Sequence, residues 1–532
     1  MKVTQLFFFI ILCFGSIAQE YPITWGEMER TPGGLLEILP KNNMNFFSLR
    51  WSGGSSFGAY RIVEHENLTM LQQKRIKPIV ETGIANFETA FYFGKKLLLF
   101  MSDKSSGNMS LYLQELDEGL EPSGFSEMVA SYPNNKLGAQ PNFKIIESQN
   151  RKFIGIVWEI PGKRTNSDIY GYKVFNESLQ IMQEGEYTMP FDGNMSTINE
   201  HHISNKGDYI LSLTEHNKPN DRLFTRSYDN YKALHLYKIH QNELKEFTLS
   251  VDGLRIDDMQ INSNDVGNIT LTGLYGKGVR SGIEGLFIIT IDASKDSIIS
   301  NGIIPFDKEI AMETWSGYND RSMTSTYYNP YSSNINTNTY NSPYYNYKLR
   351  DIFIMEDGSM TGSMEQYYVY RRSNYDTRTG VSSNVTYYYY DDIIAFKVGV
   401  AGTFDWQKRI KKSQMSLNDG GPFSSYCSFS DGKTLSFIFN DNTKNYEESG
   451  EYAGNDNRIY SFNLSKRRNA AAIANLDLKT GNVVRKTLFT RKELNSIVVP
   501  KMFKLDLVNK EILMYAILGN KERFGILNFK IK

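Results

Sequence analysis

The chain has 532 residues, 40% of them hydrophobic and 22% charged, which is enough to bury one large core or two ordinary ones. Lys plus Arg and Asp plus Glu stand equal at 59 each, so no global field favours nucleic acid or an anionic membrane, and nucleic-acid binding is excluded as a leading reading.

The first element is an export signal. Lys2 precedes the apolar run Leu6 to Phe14, and the small-residue site Ser16-Ile17-Ala18 follows. Residues 1–18 are expected to be removed, leaving a mature domain over 19–532 in the periplasm or on the outer cell surface. No later stretch approaches the roughly 18 apolar residues of a membrane helix, so no transmembrane segment is expected. Cys13 follows Leu12, not the small residue that a lipid-attachment site needs. Loss of the leader leaves Cys427 alone, which excludes an intramolecular disulfide.

Aromatic content of 13%, with frequent Gly, Asn, Asp and Ser, points to many short strands joined by turns. A polar turn followed by a β-rich run recurs along the chain. It stands at Lys41–Met44, Phe93–Lys96, Gln149–Lys152, Asn205–Asp208, Asp265–Asn268, Glu356–Ser359, Ser430–Lys433 and Val508–Glu511. The first five copies are spaced by about 50 to 60 residues and later ones by about 75 to 90. Most units continue with two further strands, as in Ile169 to Phe175 and Leu179 to Glu184. Repeats of this size predict an all-β propeller of four-stranded antiparallel blades, with eight blades preferred and seven as the alternative. The last unit, Val499 to Ile531, holds only three strands, so a strand within Tyr21 to Arg30 is expected to pair beside Phe524 to Ile531 and close the ring.

Three runs carry a family resemblance: Gly402 to Ile410, Phe437 to Asn442 with Lys444-Asn445, and Gly267 to Tyr275. They resemble the exported β-propeller proteins abundant in Bacteroidetes. The resemblance extends loosely over the mature chain and implies fold and export but no activity.

Chemical motifs are few. Gly54-Ser55-Ser56-Phe57-Gly58 matches G-x-S-x-G, but a strand follows where a nucleophile elbow needs a helix. Ser430 to Leu435 reads as a hairpin turn, because the spacing and aromatic end of a sialidase-type Asp box are missing. Five histidines, His201, His202, His216, His235 and His240, fall in one blade, yet strand alternation sends His235 and His240 to opposite faces. No metal site or cofactor is expected from them. Asp441 to Asn445 carries oxygen ligands for a weak cation site, with Tyr446 where an EF-hand loop has Gly.

The functional lead is topological. Insertions at about 308–347, 366–390 and 440–469 fall at connections that share one propeller face, in neighbouring blades. They are rich in Tyr, Asn and Ser, the mixture that binding loops use, with arginines as anchors. The candidate binding residues are Tyr327, Tyr328, Tyr344, Tyr345, Arg371, Arg372, Tyr387, Tyr389 and Arg458. The preferred reading is a non-catalytic exported binding or scaffold protein for a protein, peptide or glycan of the cell envelope. The alternative is a glycan-active hydrolase or lyase with carboxylates at the central channel, where a cluster of Asp/Glu with Arg or His would favour catalysis and a plugged channel would count against it.

Overall fold

The computed structural model describes residues 21–530, apart from 43, 55–57, 106, 135–140, 161–166, 193–194, 219–230, 241–242, 250–253, 278–282, 293, 308–346, 377, 379–380 and 456–457. Eight antiparallel sheets succeed one another along the chain as the blades of a β-propeller. Their innermost strands are Gly34–Asn42, Asn86–Phe93, Phe143–Glu147, Ser196–Ile203, Leu254–Ser263, Tyr347–Ile354, Tyr426–Ser430 and, in blade eight, the pair Ile497–Val498 and Lys504–Asp506. Consecutive inner strands touch around the axis, among them those of blades three to six. All eight recurrent turns join the first strand of a blade to its second, so they emerge together on what we term the turn face. Gly94, Gly207, Gly267, Gly358 and Gly432 take positive φ there; blades three and eight use Arg151 (φ 59) and Lys510 (φ 53) instead.

Ring closure is as the sequence predicts. Ile23–Trp25 pairs with Gly525 to Leu527, and Glu29–Arg30 pairs with Lys521 and Glu522, so the chain's first strands complete its last blade. Tyr21 extends this seam by donating its hydroxyl to Asp431 in blade seven at 2.9 Å and packing edge-on against Phe429. Arg523 donates to the Gly26 carbonyl from across the same seam. The core lies between blades: Phe287 of blade five packs with Ile210 and Leu236 of blade four, and Ile393 and Ala395 of blade six pack with Phe437 and Ala472 of blade seven. Each sheet thus buries both faces, which is why second strands such as Phe153–Ile160 read as continuous apolar runs.

The insertion read as a loop over 366–390 is mostly strand. Met360–Asp376 and Val381–Val398 form one long hairpin paired from Met360↔Val398 to Asp376↔Val381, with a register shift between Glu365 and Tyr367, because β-branched and aromatic residues recur along both strands. The insertion over 440–469 leaves its strand at Asn442, turns through a short 3-10 helix at Thr443–Asn445 and returns at Asn469. Most of the insertion over 308–347 lies outside the described residues.

Candidate functional site

Blade six departs from its neighbours on the insertion face, opposite the turn face. Its inner strand pairs with the long hairpin only as far as Gln366, and its outer strand only from Ile393 onward. Beyond those limits the hairpin continues alone except for Met415–Leu417, which pairs with Tyr387 to Tyr389. Tyr368 stacks on Tyr389 at 4.4 Å and 11°, and Tyr387 lies parallel to Tyr389 at 6.4 Å. Met415 stands opposite Tyr389 and Leu417 opposite Tyr387, and both aliphatic side chains are exposed. Directly paired residues share a sheet face, so these five side chains make one aromatic and aliphatic surface.

The root of this sheet is fixed by buried polar groups. Tyr390 is buried; its hydroxyl donates to the Gly420 carbonyl at 2.9 Å and accepts from Lys501 of blade eight at 2.6 Å. Burial pulls the Lys501 ammonium down to about 8. Beneath it, Glu365 accepts from Lys412 at 2.8 Å, Arg350 at 2.7 Å and Ser425 at 2.7 Å. Burial pushes the Glu365 carboxyl up, but Lys412 and Arg350 outweigh it and hold the group below its ordinary value. Burial and the adjacent Asp392 raise Asp391 to about 7. Such a hub is costly to break and holds the hairpin's direction.

Blade seven's insertion abuts this surface. The Phe462 N–H donates to the Ser413 carbonyl at 2.9 Å, and Arg458 and Lys444 each lie 5.0 Å from the Tyr460 ring centre. The oxygen-rich run at Asp441 to Asn445 is used internally: Asp441 is an ion-pair partner of Arg485 and accepts from Tyr446 at 2.7 Å and Asn445 at 2.8 Å, so its oxygens are committed to the loop's base. Nor do the histidines converge. His201 bonds Tyr209, His202 bonds Ser263, His216 bonds Thr197, His235 pairs with Glu215 and Glu246, and His240 pairs with Asp208. Among the described residues no group of three His, Cys, Asp or Glu could hold a metal.

The channel carries a second pattern. In five inner strands one extra residue bulges beside a carboxylate: Glu37, Glu88, Glu200, Asp258 and Asp351. A bulge re-aims its side chain, and three of these tie one blade to the next. Glu200 accepts from the Ile261 N–H at 2.7 Å, Asp258 from the Leu349 N–H at 3.1 Å, and Asp351 from the Ser428 hydroxyl. Glu200 and Asp258 thereby satisfy backbone N–H groups of the next inner strand, which would otherwise lack partners, whereas Asp351 holds a side-chain hydroxyl. Burial, with Asp258 nearby, raises Glu200 to about 7.

At the turn face the channel mouth is bridged by Gln149-Asn150-Arg151 of blade three. Arg151 donates to the Pro40 carbonyl of blade one at 2.9 Å and the Tyr92 carbonyl of blade two at 3.2 Å, and meets Asp506 of blade eight at 3.4 Å. Gln149 donates to Asn262 at 2.8 Å, and Asn150 to Asp265 at 3.2 Å, both in blade five. A cavity of about 190 Å³ beside Arg151 is lined by Glu37, Glu147, Phe91, Tyr92 and Lys504.

Of the residues singled out from sequence, Tyr387 and Tyr389 come together on the aromatic sheet and Arg458 lies on the adjoining loop. Arg371 and Arg372 sit in the same hairpin, paired with Thr386 and Val385. Tyr327, Tyr328, Tyr344 and Tyr345 lie outside the described residues. Met415, Leu417 and Lys501 were missed; a three-residue strand after a charged run leaves no periodic signal, and Lys501 acts across two blades.

No protein-family model matches the chain, and no curated protein is similar to it, so the Bacteroidetes resemblance rests on its three motifs. Among solved structures, the WD40 domain of SCAP from fission yeast aligns at 10% identity over 96% of this chain and 94% of that one, with a TM-score of 0.37. Polysaccharide lyase Uly1 aligns at 10% identity over 97% and 93%, with a TM-score of 0.33. An acylaminoacyl peptidase from Pyrococcus horikoshii aligns at 11% identity over 76% and 57%, with a TM-score of 0.31. Likenesses this distant carry no argument about activity.

Proposed function

We propose that the protein is an exported, non-catalytic binding or scaffold module, cleaved after about Ala18, that engages a protein, peptide or glycan of the cell envelope on the insertion face of blades six and seven. The observation that carries this reading is the surface of Tyr368, Tyr387, Tyr389, Met415 and Leu417, exposed at its rim and rooted on Tyr390 and Lys501. Stacked tyrosines offer a large amphipathic area whose ordering cost has been met before the partner arrives. The alternative, a glycan-active enzyme, is favoured by Glu200, whose raised carboxyl lies near Asp258 at the channel. Against it, both carboxylates already accept backbone N–H groups of the next blade.

The test is partner capture from the native envelope. Replacing Tyr387 and Tyr389 by Ser should abolish capture and leave the thermal transition in place. The wider set of Tyr327, Tyr328, Tyr344, Tyr345, Arg371, Arg372 and Arg458, changed to Ala or Ser, should behave likewise. Capture that survives all of these, together with glycan turnover that disappears in Glu200→Gln, would replace the binding reading with the enzymatic one.

A further inference from the structure

The chain's overall neutrality conceals a local surplus. On the insertion face, the turn Ser465 to Arg468 at the end of blade seven's insertion lies against the short helix Arg491–Leu494. Lys466 donates to the Asn495 side chain at 2.9 Å, and the Arg491 guanidinium donates to the Leu464 carbonyl. This joins Lys466, Arg467, Arg468, Arg491 and Lys492 into one basic crown. Within these two segments the single carboxylate is Glu493, and it is consumed in the helix cap, accepting from the Thr490 N–H at 2.7 Å. Among the described residues, none of the five cations has a carboxylate within ion-pair distance. Elsewhere Lys504 pairs with Glu37 and Lys397 with Asp405, whereas the crown gathers five cations in one place with no such partner.

The crown is not purely polar. Leu464, two positions before Lys466, is 50% exposed. A soluble polyanion is held by charge alone and has no use for an exposed leucine. A lipid surface takes up both, the cations among its headgroups and the leucine at the acyl boundary.

We propose that this crown docks the propeller reversibly on an anionic lipid surface, with Lys466, Arg467, Arg468, Arg491 and Lys492 among the headgroups and Leu464 inserted at their base. The crown shares no residue with the aromatic sheet, although both lie on the insertion face, so each can be altered without touching the other. No helix among the described residues is long and apolar enough to cross a membrane, and peripheral docking needs none. Blade seven's insertion face then turns to the bilayer, while the turn face points away from it.

The purified protein would be sedimented with vesicles of phosphatidylcholine alone and of phosphatidylcholine with 30% phosphatidylglycerol, a composition on the order of a natural anionic leaflet. Binding to the anionic vesicles only, weakening as salt rises, is expected. One surface cation is worth roughly fivefold in partitioning, so K466Q/R467Q/R468Q/K492Q should lose roughly two orders of magnitude or more. L464S should lose roughly tenfold with its charge intact. All these positions are exposed, so the thermal transition should not move. Failure to bind anionic vesicles overturns the proposal. So does binding that L464S leaves unchanged while soluble dextran sulfate competes for the crown, because the ligand would then be a polyanion in solution. Either result leaves the reading of the aromatic sheet intact, since that reading is scored on Tyr387 and Tyr389.

Discussion

Arg50 and Glu522 stand 472 positions apart in sequence, yet their side chains meet in a buried two-pronged ion pair, with Nη1 to Oε2 and Nη2 to Oε1 both at 2.8 Å. Arg50 belongs to the second strand of blade one and Glu522 to the third strand of blade eight, so the pair crosses the seam of the ring. Ser48 and Tyr515 complete it, the first accepting from Arg50 Nε at 2.9 Å and the second donating to Glu522 at 2.8 Å. Removing one partner strands a charge: Glu522→Ala should cost about 3–5 kcal/mol in denaturant unfolding. The apolar double replacement Arg50→Met with Glu522→Leu should recover most of that loss. A double variant no better than the single one would mean that the seam needs the charges themselves.

The outer strand of blade eight comes from the other end of the chain. A shortened chain beginning at Gly34 removes Ile23–Trp25 and Glu29–Arg30 and uncovers the last strand of blade eight. It should unfold at a markedly lower temperature and self-associate through the bared strand. Size-exclusion chromatography with differential scanning fluorimetry reads both; an unchanged transition would show that the seam contributes little.

Arg151 holds a left-handed backbone, φ 59, that costs an ordinary residue roughly 1–2 kcal/mol. Its contacts with blades one, two and eight must offset that strain. Arg151→Gly removes both strain and contacts, whereas Arg151→Ala removes the contacts alone. The glycine variant should therefore be the more stable of the two by about 1 kcal/mol, and both should speed amide exchange near Pro40 and Tyr92. Equal exchange in wild type and variants would show that the bridge does not restrain the mouth.

Glu200 is raised to about 7 by burial first, then by Asp258. A carboxyl raised on folding contributes stability that is full below its unfolded value and lost as pH climbs through the folded one. The window thus runs from about 4.5 to about 7, with a slope of up to about 1.4 kcal/mol per pH unit. His65, lowered to about 3 by burial and then by Arg50, works in the other sense. It remains neutral in the fold while the unfolded chain takes up a proton, so its contribution is lost as pH falls from about 6.5 toward 3. Asp391 and Glu511, raised to about 7, and His201 and His202, lowered to about 3 and about 4, titrate over the same interval, so Glu200 is read as a difference. Relative to wild type, Glu200→Gln should gain stability as pH rises from about 4.5 to about 7, and urea titrations of both proteins at four pH values would show whether the two profiles diverge.

The ring was legible because each of its turns carries a local signature. Gly94, Gly207, Gly267, Gly358 and Gly432 sit where a two-strand reversal needs positive φ, and the shortage of one strand after Phe524 pointed to Tyr21 through Arg30. The inner carboxylates were not legible. Glu200 and Asp258 owe their positions to single-residue bulges, and a bulge has no composition of its own. Nor could alternation reveal that Met415 lies opposite Tyr389, because that pairing joins a three-residue strand to a hairpin whose length the sequence disguised as loop.

The seam also sets a clock. Arg523 reaches back 497 positions to the Gly26 carbonyl, so the strands Ile23–Trp25 and Glu29–Arg30 have no partner until Lys521 to Leu527 have been made. Contacts of such separation form late and slowly, and an unpaired strand waits exposed meanwhile. During that wait Ile23–Arg30 of one copy can complete the open blade of another as readily as its own. Crowded copies would then lock into exchanged pairs before any single ring has closed.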